Sequence, residues 1–279
     1  MDKRGRTTGS IRGTIGMIFN EKINDDEIAF YRGHSNKTYD CIPYVFRTDE
    51  YKSNESVMFR EMLIASPKDF YDDENTFDQL ARMQHHSLPT RLLDISSNPL
   101  IALYFACKDN SETIAQLILF KVKKEKIKFF DSDIVSCLSN LAKLDASDKN
   151  NIDTELELEE FNDSKEIQNL LYHIKKEKPH FQGKIDPKDL ERIVCVKSRM
   201  NNRRILSQAG AFLLFGLKPQ LEDEPKGRDV WIENVYNISP KHKKDIIEQL
   251  DTLNINESTV FPNIESSANY LKEKFRTKK

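Results

Sequence analysis

The chain has 279 residues, of which 38% are apolar and 32% charged, and its formal net charge is −2. That composition suits a folded protein with a core of its own, and it supplies no global positive field to draw the protein onto nucleic acid or anionic lipid. No apolar run approaches the ~18 residues of a membrane span, no N-terminal stretch reads as a signal peptide, and the cysteines Cys41, Cys107, Cys137 and Cys195 form no C-x-x-C pair. The expectation is a cytoplasmic protein with buried free thiols, and no membrane partner.

The basic start, Met1 to Arg12, reads as a solvated flexible terminus. Ile28 to Tyr31 predicts a short strand that ends in the polar turn Arg32-Gly33-His34-Ser35-Asn36. Glu55 to Ala65 predicts a helix, stopped by Pro67. Phe77 to His86 predicts a second, with Phe77, Leu80, Ala81 and Gln84 at helical spacing. Asn98-Pro99 opens a third: the Asn side chain caps free amides and Pro suits the first turn. Leu100 to Phe105 makes that helix apolar nearly all round, so it belongs at the centre.

Strands dominate from there, over Ala115–Val122, Glu191–Lys197, Gly210–Leu217 and Asp229–Ile238. Leu144 to Lys178 runs acidic and then basic, and predicts a surface helical insertion into a single domain spanning 1–279. The chain returns to helix after Ser239-Pro240 and after Phe261-Pro262. Helices, then strands, then helices predict an α+β fold with a mainly antiparallel sheet.

Four polar sites stand out. Arg32, at the end of its strand and followed by Gly33, suits phosphate: the guanidinium forks and the glycine admits a ligand to the backbone. The same fork would equally pair with a carboxylate such as Glu61. His85 and His86 are adjacent and cannot both face one metal on a helix, so no metal site is expected; one of them suits acid–base work. In the extended segment Thr90-Arg91-Leu92-Leu93-Asp94, Thr90 and Asp94 share a face and Arg91 takes the other. Asp94 can orient an arginine or cap the turn, and Ser96-Ser97 can cap the helix that follows. Gln208, beside Ala209 and Gly210, marks a close approach to the backbone, and Asn201-Asn202-Arg203-Arg204 adds positive charge before it.

Together, Tyr31-Arg32-Gly33, Ile42-Pro43-Tyr44-Val45-Phe46-Arg47, Gln84-His85, Leu88 to Asp94, Asn98-Pro99 and Ala102 to Ala106 resemble the FRG-domain family, with Tyr-Arg-Gly in place of Phe-Arg-Gly. Gln208, Gly210 and Phe212 resemble that family's later Q-x-G-x-F element, and the likeness runs over most of the chain from Phe30. A second resemblance is to arginine-class mono-ADP-ribosyltransferases, through Tyr31-Arg32-Gly33 and through Ser96-Ser97 followed by Ala102 and Phe105.

That second resemblance implies a split sheet with NAD lying across it, Tyr31, Arg32, Gly33, Thr90, Arg91, Ser96 and Gln208 holding the dinucleotide, and His85 and Asp94 acting on it. It implies a transferase that uses NAD to modify a macromolecular acceptor, nucleic acid or protein. A role as a toxin or phage-defence effector, with an antitoxin or regulatory partner, is implied in the same way. Such transferases place a glutamate on a later strand, whereas Gln208 to Phe212 has no acid. Asp94, His85 or a residue of the insertion then supplies the function, or the domain binds nucleotide, or nucleic acid, without turning it over.

Overall fold

Eight strands form one sheet: β1 (Arg4–Thr8), β2 (Glu27–His34), β3 (Leu92–Ser96), β4 (Ala115–Lys123), β5 (Lys128–Phe129), β6 (Ile193–Lys197), β7 (Gly210–Phe215) and β8 (Val230–Ile238). The structure, a computed structural model, describes residues 4–109, 111–199, 206–219, 221 and 229–276. The strand order is β1-β8-β4-β2-β3-β7-β6-β5. The sheet is mixed rather than mainly antiparallel, because the pairings at both edges, β1 on β8 and β5 on β6, run parallel. Each of these parallel pairs is separated in the chain by helix-containing segments, as parallel pairing requires and a tight hairpin cannot supply.

One face of the sheet carries two helical groups. Helices Pro99–Cys107 and Pro240–Thr252 bury Leu103, Ala106, Ile246 and Leu250 against Tyr31, Leu117, Leu119 and Tyr236. Helices Thr76–His85, Asp133–Asn140 and Lys165–Glu177 bury Phe77, Met83, Leu138 and Leu170 against Leu92, Val194, Phe212 and Leu214. The opposite face holds Phe30, Leu93, Ile118, Phe120 and Leu213, with the partly buried Cys41 and Phe46 packed on it. Helices Pro99–Cys107 and Thr76–His85, one from each group, both contact β3.

The segment 144–178 does not lie on the surface. Leu144, Phe161, Ile167, Leu170, Leu171 and Ile174 are all buried in the second helical group. Ile167, Leu170, Leu171 and Ile174 stand at i, i+3, i+4 and i+7, a full helical stripe whose burial contributes about 2 kcal/mol per side chain. The charges between them face outward and hide that stripe in the composition. Glu177, at the end of the same helix, accepts hydrogen bonds from Thr76 N at 2.9 Å, from Thr76 Oγ1 and from Asn140 Nδ2 at 2.7 Å. It thereby supplies an acceptor at the start of the Thr76–His85 helix.

Two more expectations change. The N-terminal segment is not a loose end from Arg4 onward: β1 pairs with β8, and Ser10 caps helix Ile11–Phe19. β2 does not stop before Arg32 but continues through His34, paired with β4 at every residue from Glu27 to His34. Cys107, Cys137 and Cys195 are buried and free; burial pushes their thiols up to about 12 and that of Cys41 up to about 11. Among the described residues, no helix is long and apolar enough to cross a membrane.

Candidate functional site

β2 and β3 share a single register pair, Tyr31 with Ser96, although each is fully paired on its other side. Past that bridge the strands splay, and a cleft of about 300 Å³ opens between them. Tyr31 to Ser35 and Asp94 to Ser96 form its walls, helix Pro99–Cys107 contributes Ile101, Ala102 and Phe105, and Gln208 borders the same space. Tyr39 and Arg47 reach it from the loop after β2, and Lys108 and Asp109 from the end of the helix.

Arg32 spans the splay. Its Nη1 donates to the Asp94 carbonyl at 2.6 Å, so a side chain satisfies an acceptor where the sheet ladder is interrupted. Its Nε donates to His34 Nε2 at 3.0 Å. An imidazole nitrogen that accepts carries no proton, so His34 is the neutral tautomer protonated at Nδ1. Burial first, then the positive charges of Arg32 and Arg47, lower the His34 pKa to about 3. Burial also lowers the Arg32 pKa, against the opposing pull of Asp94.

Among the described residues Arg32 makes no ion pair, and its Nη2 donates to none of them. Glu61, a candidate partner from the sequence, does not reach it. Arg47 and Lys108 add positive charge to the cleft, with Lys108 Nζ 3.8 Å from Asp109 and 4.8 Å from the centre of the Phe261 ring.

Asp94 is held from behind. Gln84 Nε2 donates to Asp94 Oδ2 at 2.8 Å, and Thr90 Oγ1 donates to Gln84 Oε1 at 2.7 Å. Thr90 is buried and in turn accepts from Leu92 N at 3.2 Å. This chain fixes the orientation of the Gln84 amide, because its oxygen must face the hydroxyl and its nitrogen the carboxylate. The carboxylate therefore enters the cleft in one orientation, set by the Thr76–His85 helix.

Tyr31, Arg32, Gly33, Asp94, Ser96 and Gln208, all singled out in the sequence, converge on this cleft. Their roles differ from those the sequence suggested. A Cβ on Gly33 would lie 1.9 Å from the Ala102 carbonyl, so the glycine admits the helix backbone rather than a ligand. Ser96 Oγ donates to the Gln208 carbonyl at 2.6 Å and accepts from Asn98 N at 3.0 Å, tying β3 to the loop before β7. Gln208 Nε2 donates to the Val260 carbonyl at 3.1 Å.

Thr90 stands behind Asp94 and outside the lining. His85, at the end of its helix, packs edge-on against His86 with ring centres 4.7 Å apart, and neither histidine lines the cleft. Arg91 lies elsewhere altogether. It is 1% exposed and clamps Glu55 through Nε at 2.8 Å and Nη2 at 2.6 Å, with Nη1 on the Phe215 carbonyl at 3.0 Å. Asn201 to Arg204 lies outside the described residues. His34, Tyr39, Arg47 and Gln84, which also line or support the cleft, carry no site role in the sequence expectations. His34 was within reach of them, since strand alternation sets residue 34 on the same face as Arg32.

The family model of the FRG domain matches residues 27–114. The match runs from the start of β2 to the residue before β4, covering both walls of the splay and the helix above it; Gln208 lies beyond it. No curated protein and no solved structure matches the chain.

Proposed function

Residues 27–114 form an FRG domain, and from that premise we propose that the cleft between β2 and β3 is a nucleotide site that takes NAD, and that the protein is an ADP-ribosyltransferase-like enzyme. The observation that carries this reading is Arg32, a partly buried guanidinium held, among the described residues, by neutral acceptors alone. An arginine kept for stability would bring a carboxylate with it, as Arg91 does. A guanidinium in a low-dielectric wall with no direct ion pair among the described residues is costly, and it is well placed to meet an anion arriving from solvent. The planar fork suits the two oxygens of a diphosphate, and Arg47 and Lys108 add to the attraction.

Asp94 supplies the negative charge that the chemistry requires. When the bond between ribose C1′ and the nicotinamide nitrogen breaks, its electron pair leaves with nicotinamide and positive charge develops on the ribose. A fixed carboxylate lowers the energy of that charge. The acceptor's nucleophile then bonds to C1′ and loses a proton. Gln84 keeps the Asp94 carboxylate in place, so it needs no reorganisation during the step. The acceptor under this reading is nucleic acid or protein.

A second reading, binding of nucleotide without turnover, is favoured by one observation: β7 brings no acid to the cleft, and an oxygen of Asp94 already carries a hydrogen bond from Gln84. The test separates the two. NAD is titrated into the purified protein, and nicotinamide is followed alone and with RNA, DNA or cell lysate added. Turnover in the wild type, with binding kept but release lost in Asp94→Asn, supports the enzyme. Binding with no release under any condition supports the regulatory reading. An absence of NAD binding contradicts both as stated for NAD.

A further inference from the structure

A second cavity, of about 280 Å³, opens at the Leu92 end of β3, where Arg91 and Glu55 form its inner wall and Lys52, Lys149, Asn150 and Phe46 surround them. The charges in that wall do not balance. Glu55 is buried and its single negative charge faces two cations, Arg91 through Nε and Nη2 and Lys149 through Nζ at 2.6 Å. Asp49 and Lys52, also in the lining, cancel each other. The next carboxylate, Asp145, faces Arg60 at 3.5 Å. Among the described residues one positive charge is therefore left over in a wall where Arg91 is 1% exposed and the Lys149 side chain 10%.

The donors are equally uneven. Arg91 directs its Nη1 to the carbonyls of Phe215 and Gly216, at 3.0 and 3.3 Å, and has little left to offer. Lys149 has three N–H bonds, and among the described residues it gives a hydrogen bond to Glu55 alone. Burial, aided by Arg91, lowers the Lys149 pKa against the pull of Glu55. An anion in the cavity would supply both the missing charge and the missing acceptors. Lys52, matched by Asp49 in that count, stands exposed in the same lining, where its ammonium can turn to an anion as a further donor.

We propose that this cavity is a second ligand site, separate from the cleft at β2 and β3, and that it takes the phosphate group of a small molecule. The inference does not depend on what the cleft binds. It is tested with inorganic phosphate as the probe, by thermal melting against sodium chloride at equal ionic strength, so that general screening is held constant. Phosphate should raise the Tm of the wild type and of Arg32→Met alike. The gain should vanish in Lys149→Met and need at least threefold more phosphate in Lys52→Ala. The proposal is overturned by no gain in the wild type at millimolar phosphate, by a gain lost in Arg32→Met, or by an unchanged gain in Lys149→Met. Should Lys149→Met fail to fold, an unchanged gain in Lys52→Glu overturns it instead.

Discussion

Arg32 and Arg91 are both drawn into the body of the protein beside β3, and both spend part of their guanidinium on backbone carbonyls. Their remaining partners differ. Arg91 meets a buried carboxylate in a two-bond clamp, whereas Arg32 meets a neutral imidazole and, among the described residues, gives no hydrogen bond from Nη2. The same side chain is thus closed in one place and left open in the other. Removing a clamped arginine strands a buried charge, while removing an open one strands only neutral acceptors. The difference, and not burial alone, separates the two arginines, and the proposed function rests on it.

The frame around both arginines can be broken first. Deleting residues 144–178 should abolish cooperative thermal unfolding, because it removes a stripe of buried aliphatic side chains together with Glu177. A sharp melting transition in the deletion would show that the segment is dispensable. At the closed end, Arg91→Met should cost about 3 kcal/mol, a Tm fall of about 10 °C, since Glu55 keeps only Lys149 as a counter-ion. Glu55→Gln in the Arg91→Met background should recover part of that loss, and calorimetric melting of both variants checks it.

A smaller effect probes the open end. The His34 pKa is depressed to about 3, so between pH 7 and 5 the unfolded chain takes up a proton that the folded one refuses. Its contribution to stability is therefore present above the ordinary pKa of about 6.5 and is lost as pH falls below it. His34→Gln, which keeps an acceptor for Arg32, should flatten the decline in Tm over that range. An unchanged slope would mean that His34 is not held neutral by Arg32 and burial.

Much of this was legible in the sequence and some of it was not, for reasons that particular residues show. Asn98-Pro99 announces its helix because capping is local, and Asn98 Oδ1 does accept from Leu100 N at 2.9 Å. Arg32, His85, Arg91, Asp94 and Gln208 can be grouped in the sequence because each is a polar residue at the edge of an apolar element, and of these Arg32, Asp94 and Gln208 line the cleft while His85 and Arg91 do not. Whether an arginine is closed or open could not be read, since Glu55 lies 36 positions from Arg91 and its pairing is a matter of tertiary packing. The role of Gly33 was misread for a similar reason: a missing side chain says that something comes close, and here it is the backbone of the helix above. The edge strands, and with them the mixed sheet, were obscured because a short strand such as Lys128–Phe129 has too few residues to show alternation.

The central claim is that Arg32 is kept for a ligand and Arg91 for the fold, and one paired measurement tests it most directly. NAD binding by calorimetry and thermal melting are recorded for the wild type, Arg32→Met, Arg32→Lys and Arg91→Met. Arg32→Met should lower the Tm clearly less than Arg91→Met does, since it leaves only the neutral acceptors on Asp94 and His34 unfilled, while weakening NAD binding more than tenfold, the loss of a charge-assisted contact of roughly 2 kcal/mol. Arg32→Lys should not restore binding, because a point charge cannot replace the fork. Arg91→Met should do the reverse, lowering the Tm and leaving the affinity of the folded protein for NAD within about threefold of the wild type. Unchanged NAD binding in Arg32→Met, together with a Tm fall as large as that of Arg91→Met, would contradict the account and make both arginines parts of the fold.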